Sequence, residues 1–188
     1  FGGPKGVGAL VVRDGVPLAP QLIGGGQEQG RRSGTHNAAG IVGMAAAAGA
    51  TMAEREATSA RIGALRDRLA DGLIATIDGT IETAMAPHAD RSDRGHKVAG
   101  SCHLCFAGIE SEALLFLLER EGILASAASS CSSGAQEPSH VLAAMGYARD
   151  VAAGSLRLSL GYASTDHDID EALRVLPEAV AHLRAHGS

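Results

Sequence analysis

Ser101-Cys102-His103-Leu104-Cys105-Phe106, Ser111-Glu112-Ala113-Leu114-Leu115-Phe116-Leu117-Leu118-Glu119-Arg120 and Ile123-Leu124-Ala125 follow one another closely in this chain. The first reads as a strand. The second sets Leu114, Leu115, Leu117 and Leu118 toward one side of a helix, with Gly122 as its stop. The third is a short strand. Downstream, Leu156-Arg157-Leu158-Ser159-Leu160 alternates, so three leucines face a core and Arg157 and Ser159 face the other way. Between these lie a helix over Pro138–Met145, with Pro138 in its first turn and Gly146 after its end, and an aperiodic Ser/Ala/Gly stretch over 127–136. The last helix runs from about Asp166 to His186, capped by Ser164 or Thr165, with Pro177 expected to kink it.

Upstream, Ile62, Leu65, Leu69 and Leu73 recur at spacings of three and four, one face of a helix. The Ala-rich pattern begins near Asn37 and reaches Ile77, and a bridging helix is expected over about 45–78. Gly6–Arg13 predicts a buried strand, 18–34 a glycine-rich loop, and 79–100 an exposed connection with one short strand. Alternating helix and strand make the fold α/β, followed by a small α+β layer.

Hydrophobic residues make up 45% of the 188, charged residues 20%, and the net charge is −5. That supports a core and argues against clamping nucleic acid by charge alone. No apolar run is long enough to span a membrane, and no signal peptide is visible. Three cysteines are too few for a disulfide framework and fit a reducing, cytoplasmic setting. Phe1 stands where a methionine would, inside a glycine-rich loop, so the sequence reads as a piece of a longer chain.

Cys131 lies in Ser129-Ser130-Cys131-Ser132-Ser133-Gly134. Small, polar surroundings suit a nucleophile that must be reached and ionised, whereas a structural cysteine normally sits on an apolar stripe. Cys102 and Cys105 form a C-x-x-C, but residues three apart on a strand point to opposite faces. Core packing is therefore preferred to a metal or redox site, with only one of the two deeply buried. Arg157 is open to two readings, a solvated strand residue or a fork for a carboxylate. Arg31-Arg32-Ser33-Gly34-Thr35, before a helix, is a weak phosphate-loop signal. The eight histidines are scattered, and no H-x-x-x-H pair is expected on a helix.

In order, Gly3-Pro4-Lys5-Gly6-Val7-Gly8-Ala9-Leu10, Gly24-Gly25-Gly26-Gln27-Glu28 with Arg32-Ser33-Gly34-Thr35, Cys131-Ser132-Ser133-Gly134 with Glu137-Pro138-Ser139-His140-Val141-Leu142, and Arg157-Leu158-Ser159-Leu160-Gly161 resemble segments of the cysteine desulfurases. These are fold-type I, class V aminotransferase-like enzymes that use pyridoxal 5'-phosphate (PLP). The resemblance implies the C-terminal half of such an enzyme: residues 1–55 as the end of the PLP-binding large domain, 56–188 as the small domain.

It further implies Cys131 as the thiol that takes sulfur from L-cysteine, leaving L-alanine and an enzyme persulfide. Arg157 would hold the substrate carboxylate, and Thr35 the cofactor phosphate across a homodimer interface. An acceptor protein would then receive the sulfur, for iron–sulfur assembly, transfer-RNA thiolation or DNA sulfur modification. The resemblance puts the Schiff-base lysine immediately before Phe1 and does not give Lys5 that role. Ala128 and Ser130 depart from the family's more usual glycine and alanine. The alternatives are a related PLP lyase, such as a selenocysteine lyase, and a non-catalytic sulfur-relay docking module.

Overall fold

The computed structural model describes residues 1–85, 94–127 and 139–187. Cys131, Ala128, Ser130 and Pro138 lie outside the described residues. The chain divides into two compact units, Phe1–Arg55 and Glu56–Ser188. Helix α1, Ala38–Thr76, begins in the first and ends in the second.

In the first unit α1 starts seven residues before the expected point because Asn37 caps it. The Asn37 Oδ1 accepts the Gly40 N–H at 3.0 Å, satisfying one of the helix's otherwise orphaned amides. The preceding loop is tied to itself. Ser33 Oγ donates to the Gly25 carbonyl at 2.6 Å, the Ser33 amide to the Leu22 carbonyl at 3.2 Å, and the Gly34 amide to Gln27 Oε1 at 3.1 Å. Between them Gln27–Gly30 makes a 3-10 turn in which Glu28 and Gln29 adopt left-handed φ values of 52° and 58°.

The strand expected over Gly6–Arg13 is not formed. Leu10 is 74% and Val11 95% exposed. A β-branched run makes a strand only where another backbone takes up its N–H and C=O groups, and the described residues of this unit offer none.

In the second unit, β1 (Thr80–Glu82), β2 (Ser101–Phe106) and β3 (Ser155–Ser159) form an antiparallel sheet in that order. Ile81 pairs with Cys105, and Leu104 with Leu156. One face carries Cys102, Leu104, Phe106, Leu156 and Leu158, all buried. They pack against Leu65, Leu69 and Leu73 of α1, Leu114 and Leu118 of α2 (Ser111–Arg120), and Leu176 and Val180 of α5 (Asp166–His186). Each such leucine contributes about 1.5–3 kcal/mol when fully buried. Leu115, Leu117 and Leu160 pack beside this core only partly buried.

The helix ends follow from local chemistry. Gly122, at φ 77°, lets the Ile123 amide return to the Leu118 carbonyl and stops α2. Thr165 and Asp168 form a reciprocal capping box at the start of α5, which includes Pro177 and, contrary to expectation, a histidine pair one turn apart, His182 and His186, with ring centroids 4.4 Å apart.

Two sequence expectations are corrected here. Ile123–Ala125 is not a strand; the chain pairs only at Ser126, with Arg157, and Leu124 is 83% exposed. The 79–100 connection is not simply exposed. Glu82, Thr83 and Arg94 are buried within it, because Arg94 Nε lies 3.1 and 2.9 Å from the two Glu82 carboxylate oxygens, its Nη2 reaches Asp71 at 2.6 Å, and Lys97 Nζ lies 2.5 Å from Glu82 Oε1. Charges this deep persist only when paired.

Burial pushes the Glu82 carboxyl up, but the hydrogen bonds and charges of Arg94 and Lys97 prevail and hold it below its ordinary 4.5. The unfolded chain therefore binds more protons there. The stability this group contributes is present above about pH 4.5 and is lost as pH falls through the depressed folded value. Chemical denaturation of wild type and Glu82→Gln across that range is expected to show a smaller acid-induced loss of stability in the variant.

Candidate substrate and cofactor site

Strand β3 presents Arg157 because its neighbours turn away from it. Leu156 and Leu158 enter the core, while Arg157 and Ser159 are exposed on the opposite face, as the alternation predicts. The Arg157 amide donates to the Ser126 carbonyl at 2.8 Å, and the Ser126 amide to the Arg157 carbonyl at 3.1 Å. On its other side Arg157 stands opposite His103 of β2, and the His103 carbonyl accepts the Thr83 amide at 3.1 Å. Residues paired across antiparallel strands share a face. Thr83, His103, Arg157 and Ser126 thus form a polar row across four backbone segments.

Arg157 spends both backbone groups on Ser126, so its pair with His103 is the non-hydrogen-bonded kind. In such pairs the side chains approach most closely, with Cα atoms about 4.5 Å apart. Among the described residues its guanidinium has no hydrogen-bond or ion-pair partner. Burial first, then the Lys97 and Arg157 charges, hold the His103 imidazole below its ordinary 6.5. Its Nδ1 lies 2.7 Å from Thr83 Oγ1.

The next positions on this face are covered. Cys105 packs against Leu142 of α3 (His140–Ala144) and Ala152 of α4 (Arg149–Ala153), with Tyr147 and Val151 beside them. The helix expected over 138–145 is thus α3, one turn long. Cys131 follows Ser126 by five positions, and the chain is described again from the buried Ser139, just before α3. The flanks of the cysteine segment therefore lie beside Arg157 and on the helix that covers Cys105.

Cys102 and Cys105 diverge as expected, Cys102 into the main core and Cys105 into the smaller one. The expectation that only one would be deeply buried is wrong. Both are fully buried, because α3 and α4 cover the second face. Burial pushes the Cys102 thiol up to about 12 and the Cys105 thiol to about 11, so neither is a thiolate at neutral pH. Replacing both with alanine is expected to cost about 1–2 kcal/mol in chemical denaturation and to leave turnover of the complete enzyme largely intact.

Thr35 belongs to the first unit, exposed and three residues before α1. A hydroxyl followed by a helix start is a donor set that fits one edge of a phosphate. The chain has two lysines. Lys97 is committed to Glu82 and to the Thr83 carbonyl at 3.0 Å, and Lys5 lies exposed in a turn. The Thr35 hydroxyl thus suits an oxygen of the PLP phosphate. No helix among the described residues is long and apolar enough to cross a membrane.

His103 and Thr83 belong to this polar row and are passed over by sequence reasoning. Their meaning lies in cross-strand register. The available signal was a polar residue between the apolar Cys102 and Leu104 on a strand.

A family model, aminotransferase class-V, matches residues 1–172. The chain belongs to the class-V aminotransferase family. It is 48% identical over 184 residues to the IscS-like cysteine desulfurase of Mycobacterium tuberculosis, covering 98% of this chain and 45% of that protein. It is 44% identical over 184 residues to cysteine desulfurase IscS of Methanosarcina thermophila, covering 98% and 43%. A solved NifS-like protein superposes with a TM-score of 0.77 at 33% identity, over 96% of this chain and 44% of that one. The chain spans a little under half the length of the curated relatives it matches.

Proposed function

We propose that this chain is the sulfur-accepting portion of a PLP-dependent cysteine desulfurase. What supports the reading most is the position of Arg157, without an acidic partner among the described residues and backbone-bonded to Ser126, from which the chain runs on to Cys131. The first unit is then the end of the cofactor-binding domain, and the second the small domain. PLP, held by Thr35 at its phosphate and by a lysine elsewhere in the enzyme, supplies an electron sink for the substrate's carbon skeleton.

Arg157 takes the α-carboxylate and orients L-cysteine with its sulfur toward the nucleophile. The Cys131 thiolate attacks that sulfur. A bond forms between the two sulfurs, and the substrate's carbon–sulfur bond breaks. Its electron pair stays with the carbon skeleton, which gains protons and leaves as L-alanine. The persulfide on Cys131 then passes to an acceptor protein. The enzyme is a cytoplasmic homodimer in which Thr35 serves the partner subunit's cofactor.

The test is intact-mass analysis of the complete protein after exposure to L-cysteine. One added sulfur atom, mapped to the peptide containing Cys131 and released by a reducing thiol, is expected together with L-alanine. Release of alanine with no sulfur on any protein thiol would point instead to a lyase that sheds its product directly.

A further inference from the structure

We propose that His103 is the second arm of the carboxylate site, its ring N–H binding the substrate's α-carboxylate beside the Arg157 guanidinium. The inference rests on the proposed role of Arg157 and adds a substrate-binding residue to it.

Three observations carry it. First, the two side chains are cross-strand neighbours in the close, non-hydrogen-bonded register, on the sheet face away from the main core. One carboxylate, with two oxygens, can meet a donor from each. Second, the ring is fixed. Thr83 is 3% exposed, and its Oγ1 lies 2.7 Å from Nδ1. When the hydroxyl gives its proton to Nδ1 rather than to the His103 carbonyl 3.4 Å away, the imidazole carries its own proton on Nε2 and has one ring N–H to donate.

Third, among the described residues the charges facing this row are cationic. Lys97 and Arg157 are the cations that act on His103, and they disfavour a further positive charge on the ring. The nearest acid in the sheet, Glu82, pairs with Leu104 and so faces the opposite side, where Arg94 and Lys97 hold it. Among the described residues, no carboxylate meets the Arg157 fork. A neutral N–H beside a permanent cation, with no carboxylate on them among the described residues, suits the carboxylate of a ligand.

The complete holoenzyme tests this with steady-state kinetics over a wide L-cysteine range and with titration of the product L-alanine, followed by cofactor absorbance. His103→Phe fills the space without a donor, and His103→Leu serves in its place should the phenylalanine variant not fold. His103→Gln returns an N–H near the Nε2 position. The donor-free variant is expected to raise KM and weaken L-alanine binding about tenfold, as for one hydrogen bond to a charged group, with kcat changed less than about twofold. His103→Gln should recover most of this. Unchanged KM and alanine affinity in the donor-free variant, beside a clear defect in Arg157→Ala, would make His103 a structural residue and leave the Arg157 reading standing. No defect in either variant removes both. Equal defects in His103→Gln and the donor-free variant also overturn the proposal, because a restored donor would then have restored nothing.

Discussion

Replacing Cys131 by serine in the complete enzyme is expected to lower alanine formation from L-cysteine by ~10³-fold or more, with the cofactor's absorbance unchanged. An alcohol at neutral pH is almost wholly un-ionised and is a far poorer nucleophile toward sulfur than a thiolate. The remaining thiols cannot stand in. Cys102 and Cys105 are fully buried on opposite faces of the sheet, with burial pushing them up to about 12 and about 11. The fraction ionised at pH 7 is then negligible, and neither sulfur can reach a substrate without unfolding β2. Serine is close to cysteine in size and polarity, and the segment around it is already serine-rich, so cofactor binding should not suffer. Sulfide and alanine release measured together, beside a PLP spectrum, separate loss of the nucleophile from loss of the cofactor. Turnover near that of the wild type would place the sulfur acceptor on some other group.

How far the sequence could be read depends on where each element finds its partners. Periodicity revealed Leu65, Leu69 and Leu73 on α1 and the alternation of β3, because these bury one face against segments of the same unit, while the cap at Thr165 marked the start of α5. It failed at Gly6–Arg13, where the residues favour a strand but no described backbone of that unit lies alongside. It failed at Cys105 because the second face of the sheet is covered by α3 and α4, helices of one turn each that carry almost no periodic signal. The ion-pair cluster of the buried Glu82 and Arg94 with the half-buried Lys97 was hidden for a related reason. Charged residues in a Pro- and Gly-containing connection look solvated until the pairing that neutralises them is seen. Arg157 stood out in the sequence as the one cation in a leucine strand. His103 did not, since its place opposite Arg157 is a fact of register.

That register sets the second large effect, in Arg157→Ala. The substitution should cost about 2–4 kcal/mol of substrate binding, or roughly 30- to 1,000-fold in KM or kcat/KM, while PLP binding is hardly altered. The strand itself should survive. Its inward residues Leu156 and Leu158 are untouched, and Arg157 is tied to Ser126 by backbone groups that alanine also carries. What is lost is a planar fork on an exposed strand position. Arg157→Lys should rescue poorly, since a single ammonium cannot give two parallel bonds to one carboxylate. A second consequence is independent of catalysis. The Arg157 charge helps hold the His103 imidazole below its ordinary 6.5, behind burial and Lys97. Removing it should let the His103 midpoint rise toward that value in an NMR titration. A risen midpoint with unchanged kinetics would confirm the neighbourhood and make Arg157 only a strand residue. Unchanged values of both would mean that the two side chains do not face each other as the β2–β3 register requires.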